Sequence, residues 1–158
     1  MKTRIVSTAA VATLTCAGAC SSGEQVAHDA APDQPLVVSH VFAPAPAAPD
    51  VMALYFTIQN MGQDDDTLLT VQTSIAEHAS VHQSETEGGM TRMQALENLP
   101  LPAGQIVELA PGALHVMLTV LTQTVNVGDT VDVELVFSSA PPIALHIPVV
   151  SYADAAAR

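Results

Sequence analysis

Four residues of this chain carry donor atoms at a spacing that could do chemistry: His82, Met93, His115 and Met117. Ten residues separate the first two, twenty-one the middle two, and one the last two. Two imidazoles and two thioethers form a soft, uncharged donor set. Such a set suits Cu(I), a polarizable closed-shell cation, and few other biological metals. Zn(II) prefers thiolate, imidazole or carboxylate, while Ca(II) and Mg(II) take oxygen. Thioether sulfur carries no proton in the ordinary pH range, whereas imidazole loses a metal as it protonates.

The elements that must position these donors read as β-strands. Leu54, Phe56 and Ile58 alternate with Tyr55, Thr57 and Gln59. Leu114, Val116, Leu118 and Val120 share one face of a second run, and His115, Met117 and Thr119 share the other. Val131, Val133, Leu135 and Phe137 form a third alternating run, and Ile143, Leu145 and Ile147 a fourth. A strand sets residues i and i+2 on one face about 7 Å apart, so His115 and Met117 project together away from the apolar face. His82 falls in an expected strand over 79–83. The Gly88-Gly89 turn can fold the chain back and return Met93 toward it. Further turn signals stand at Asn60-Met61-Gly62, Pro102-Ala103-Gly104, Pro111-Gly112 and Gly128-Asp129. Short strands punctuated this way predict an all-β fold, an antiparallel sandwich or barrel in a single domain. Residues 69–77 are the one stretch that reads as a short helix, and the Pro/Ala stretch 43–49 reads as a loop.

Composition narrows the classes. The chain has 158 residues, 49% of them hydrophobic, enough for one sizeable core. Four Lys plus Arg against sixteen Asp plus Glu give a formal charge of −12. With no Trp, two Tyr and three Phe, the chain lacks both the basic groups and the stacking rings of a nucleic-acid surface. Residues 1–19 read as a signal peptide: Lys2 and Arg4, an apolar stretch too short to span a membrane, then Ala17-Gly18-Ala19 as a small-residue cleavage site. Cys20, followed by Ser21, resembles a lipobox cysteine, although Ala17 stands where Leu is usual. Lipidation of Cys20 and plain cleavage before it are both open readings. Residues 20–36, small and polar, read as a flexible tether. Beyond Cys20 no cysteine remains, so an internal disulfide, thiolate catalysis and a Cys-based metal centre are excluded.

At every spacing the four donors match the signature of the periplasmic copper chaperones with the PCu(A)C domain, and the chain resembles that family. Val81-His82-Gln83, Glu87-Gly88-Gly89, Leu101-Pro102-Ala103-Gly104, Leu109-Ala110-Pro111-Gly112 and Val127-Gly128-Asp129-Thr130-Val131 add to the resemblance, which covers roughly residues 37–150. It implies a cupredoxin-like β-sandwich holding one Cu(I) on His82, Met93, His115 and Met117. It also implies delivery to an acceptor such as the dinuclear copper centre of cytochrome c oxidase. Ser84 and Thr91 stand where relatives often carry further Met, which bears on any transfer route that relies on supplementary methionines. His40 stands near a place where an early aromatic is common.

The remaining candidates have plainer readings. Glu85 and Glu87 flank the first ligand and read equally as cation attractors or a solvated loop. Asp64-Asp65-Asp66 lacks the spacing of a Ca(II) loop and reads as a solvated hairpin tip. Met90 reads as a loop residue, His28 as solvated in the tether, His78 as exposed or structural, and His146 as a surface strand residue. No nucleophile–base pair, phosphate loop or paired-carboxylate motif points to an enzyme. The expectation is a monomeric, exported metallochaperone of the periplasm, tied to a membrane only through a lipid on Cys20. Its partners would be copper and a copper donor or acceptor protein, with no nucleic acid. A copper buffer or resistance protein, or a metal-free structural lipoprotein, is the alternative. Residues 151–158 read as a C-terminal tail.

Overall fold

The structure, a computed structural model, describes residues 35–157. The expected signal peptide, Cys20 and nearly all of the expected tether lie outside the described residues. The chain runs β1 (Leu36–Pro44), β2 (Val51–Asn60), β3 (Asp66–Thr73), β4 (Ala76–Glu87), β5 (Met90–Leu96), β6 (Leu99–Leu101), β7 (Ile106–Leu109), β8 (Leu114–Leu121), β9 (Thr130–Phe137), β10 (Ile143–Val150) and α1 (Tyr152–Ala156). Strand order is β5-β4-β8-β7-β2-β1-β10-β9-β3-β6. Most neighbours pair antiparallel; β1 with β10 and β7 with β8 pair parallel.

Period-two alternation explains why these strands form a layered fold. Leu54, Phe56 and Ile58 are buried on β2, Val116 and Leu118 on β8, Val131, Val133, Leu135 and Phe137 on β9, and Leu145, Ile147 and Val149 on β10. These side chains make one cluster. The half of the sheet from β5 to β1 therefore faces the half from β10 to β6 across a shared core. The seam is the short parallel contact of Ala43 and Pro44 with Val149 and Val150.

Four local expectations need correction. Residues 69–77 are not helical: they form the end of β3 and the start of β4. A register shift between Leu68 and Thr70 turns Leu69 outward, so Leu68, Val71 and Ile75 are the buried positions. A bulge thus produced the three-and-four spacing that imitates a helix face. Val120 does not join the apolar face of β8; its φ of 57° throws it out of alternation, and it is exposed. The Pro/Ala stretch begins inside β1, where Ala43 is fully buried. The C-terminal segment holds α1, capped by Ser151, whose hydroxyl accepts from the Asp154 N–H, and it packs on β1.

The acidic hairpin tip is also more than a solvated turn. Asp66 is buried, and its Oδ1 accepts from the N–H groups of Thr67 (2.7 Å) and Ser139 (3.0 Å) while Oδ2 accepts from Ala140 (2.8 Å). It pins the β9–β10 connection to β3. Next to it, buried Asn60 donates through Nδ2 to the carbonyls of Asp64 and Leu101 and accepts from the Gly62 N–H.

Candidate metal centre

The two imidazoles come from β4 and β8, neighbouring antiparallel strands. His82 is directly opposite His115, Ser80 opposite Met117, and His78 opposite Thr119. Val81 and Val116, paired between them, point into the core, so His82, His115 and Met117 share the outward face. On the other side of β4, β5 pairs Ala95 with His82 and Met93 with Ser84, which puts Met93 on that same face. Both sulfur positions are therefore diagonal to His82, Met93 one row beyond the imidazole pair and Met117 one row before it. Diagonal cross-strand neighbours are about 7–8 Å apart, within reach of long side chains. The register gathers all four expected ligands on one patch, with the imidazoles at its centre and a thioether at each end.

The β4–β5 connection that returns Met93 is a two-residue turn, Gly88 at φ 59° and Gly89 at φ 82°. Both values lie in the left-handed region that glycine adopts without a Cβ clash, and the pair matches the twist of a tight hairpin.

Ring contacts and hydrogen bonds fix the imidazoles. The His82 and His115 rings stack with centroids 5.8 Å apart, and Tyr55 flanks His115 at 6.4 Å. His115, although on the outward face, is only 6% exposed. Its Nδ1 lies 3.1 Å from the Ala113 carbonyl. A carbonyl only accepts, so Nδ1 carries the proton and Nε2 of the neutral ring keeps its lone pair for a metal. His82 Nε2 shares a 2.9 Å hydrogen bond with the Ser80 hydroxyl, whereas its Nδ1 is buried with no partner. Whichever nitrogen holds the proton, Nδ1 lacks its complement, the kind of orphan that a buried polar atom shows when a ligand is its missing partner. Burial, and secondarily the neighbouring His115, push the His82 pKa below its ordinary value. The ring therefore stays neutral and able to bind metal in more acidic solution than a free histidine. Burial, then Tyr152, push the Tyr55 phenol up.

Among the described residues no group of three or more His, Cys, Asp or Glu could hold a metal ion. The further donors that share the face of His82 and His115 are the thioethers of Met93 and Met117, a set that suits a soft cation. Glu85 is off the patch: it belongs with Val81 and Gln83 on the other side of β4, opposite Arg92, and accepts from Gln83 Nε2. Met90 and His40 are exposed away from the imidazole pair, and exposed His146 pairs with Asp132 at 2.6 Å on the far layer. The segment 44–47, with Tyr152 of α1, lines a hollow against Ala53 and Tyr55 and so borders the patch. Sequence reasoning missed Ser80 and Tyr55 as neighbours of the imidazoles. It also set His78 aside because a four-residue spacing suggests a helix face, yet on a strand an even spacing shares a face as well. The signal was the alternation His78, Ser80, His82, Ser84.

This two-layer β fold is similar to that of solved PCuAC domains. The copper-bound PCuAC domain from PmoF2 superposes with a TM-score of 0.64 at 22% identity, over 74% of this chain and 93% of that one. The apo PCuAC domain from PmoF1 gives 0.63 at 25% identity, over 74% and 94%. The solution structure of Cu(I)-bound DR1885 from Deinococcus radiodurans gives 0.59 at 24% identity, over 82% and 86%. The family model described as "Putative lipoprotein LpqE-like" matches residues 36–149, and the chain belongs to that LpqE-like family. A relative from Leifsonia xyli subsp. xyli, described as "Putative lipoprotein Lxx21020", is 28% identical over 110 residues. That match covers 69% of this chain and 66%, just under two thirds, of the relative. Among the described residues no helix is long and apolar enough to cross a membrane.

Proposed function

We propose that this protein is an extracytoplasmic Cu(I) metallochaperone. One cuprous ion binds His82, His115, Met93 and Met117 and is handed on by ligand exchange. The observation that carries the reading is the direct cross-strand pairing of His82 with His115 on an outward face, with Met93 and Met117 diagonal to it. The tethered Nδ1 of His115 and the orphaned Nδ1 of His82 support it. So do the copper-bound PCuAC domains that share the fold. Neutral donors on a partly exposed patch hold a monovalent ion without a large burial penalty and leave it open to a competing acceptor. Residues 1–19 direct export, Cys20 is the candidate anchor, and the tether lets the domain (37–150) reach a partner; relatives described as lipoproteins fit this placement.

Anaerobic Cu(I) titration against a competing chelator tests the ligand set. The wild type takes up one equivalent, and the His115→Ala/Met117→Ala double variant, still folded by circular dichroism, loses affinity at least about a hundredfold. Unchanged affinity refutes the assignment. Delivery to the dinuclear copper centre of cytochrome c oxidase is the use that the motif implies. A deletion strain that loses oxidase activity at low copper supports it, whereas copper sensitivity with normal respiration assigns the protein to buffering.

A further inference from the structure

The geometry points to His78 as an auxiliary Cu(I) ligand that, with Met117, forms a second station at the open end of the patch; this rests on the copper reading above. On β4 the outward positions run His78, Ser80, His82, Ser84. Met117 is opposite Ser80, and so it is diagonal to His82 on one side and to His78 on the other. The thioether is thus shared between two imidazoles about 13 Å apart along one strand, each a diagonal reach from it. Exposure rises along the patch. His115 is buried, His82 and Met117 are half-buried, and His78 is exposed. β5 ends at Leu96 opposite Val81, so it does not pair with β4 alongside His78. Directly opposite His78 is Thr119, which carries no charge to hold the ring elsewhere.

Cu(I) tolerates two or three soft neutral donors. In the inner station the ion is held by His82, His115 and the two thioethers. In the outer station the His78 nitrogen lone pair adds to the metal as the bond to a His115 or His82 nitrogen breaks, with Met117 bound throughout. The step is ligand exchange: the metal remains Cu(I) and no proton or electron is consumed. His78 offers an exit that bypasses Met93, in a chain with Ser84 and Thr91 where further methionines would extend a sulfur route.

The test uses the full chain with Cu(I) alone, in four forms: wild type, His78→Ala, Met93→Ala and the double variant. Affinity comes from chelator competition and the nitrogen and sulfur neighbours from X-ray absorption. In the wild type, His78→Ala changes affinity by less than about twofold; in the Met93→Ala background it costs a further factor of about ten, a non-additive coupling. Met93→Ala alone shows one sulfur and two nitrogen neighbours, and His78→Met in that background restores the second sulfur. Additive effects, or a sulfur count that stays at one in the Met93→Ala/His78→Met form, overturn the role of His78 while leaving the copper site intact. A wild type that binds no Cu(I) overturns both readings.

Discussion

Replacing Asp66 by Ala removes the acceptor for three backbone N–H groups. The Ala140 N–H is in a buried position, so losing its carboxylate partner incurs nearly the full desolvation penalty, about 2 kcal/mol. The Thr67 N–H is half-buried and loses about 1 kcal/mol, while Ser139 is exposed and water replaces its partner at little cost. The sum is about 3 kcal/mol. With an unfolding entropy of about 2.1 cal/mol/K per residue over about 120 residues, that lowers Tm by about 12 °C. Asp66→Asn keeps one acceptor oxygen and loses about half as much. Thermal unfolding by circular dichroism, with urea titration for the free energy, reads both. Since β3 belongs to the other layer, Cu(I) affinity of the folded variant stays within about twofold of wild type. A loss under about 1 kcal/mol would refute the claim that this carboxylate anchors the β9–β10 connection.

The depressed pKa of His82 has a definite sign. The unfolded ring binds its proton near the ordinary value of 6.5 and the folded ring only at lower pH. Stability of the metal-free protein is therefore complete above that value and declines as pH falls toward the folded pKa. NMR titration of the ring should give a midpoint below 6.5, and Cu(I) affinity should weaken on acidification through that midpoint; a midpoint above 6.5 contradicts the buried environment. Gly88→Val forces a β-branched residue to φ near 59°, at a cost of about 1–2 kcal/mol concentrated in the hairpin. Tm should fall by a few degrees while Cu(I) affinity drops about tenfold, because Met93 depends on that turn; equal affinity in the chelator assay would show that Met93 is placed by something else.

The strands that were legible in the sequence are those with one face wholly buried. Leu54–Ile58, Val131–Phe137 and Leu145–Ile147 alternate because the core admits every second side chain, and the sequence carries that demand directly. The donor spacing was legible for a related reason: the single residue between His115 and Met117 puts both on one strand face, and the Gly88-Gly89 turn brings Met93 back alongside the strand that carries His82. Features that break periodicity were not legible. The bulge at Leu68–Thr70 copied a helical spacing, the kink at Val120 reversed one side chain, and Asp66 found two of its three donors more than seventy residues away along the chain. Long-range partners of that kind leave no local trace.

The two stacked imidazoles sit on strands already joined rung by rung through their own main chains from Ala76 to Gln83. Whatever ion settles between them inherits a finished scaffold and has little left to organise. Departure of that ion likewise leaves the frame standing. On the reading proposed above, loading and unloading would swing two flexible sulfur arms while the platform beneath them stays still.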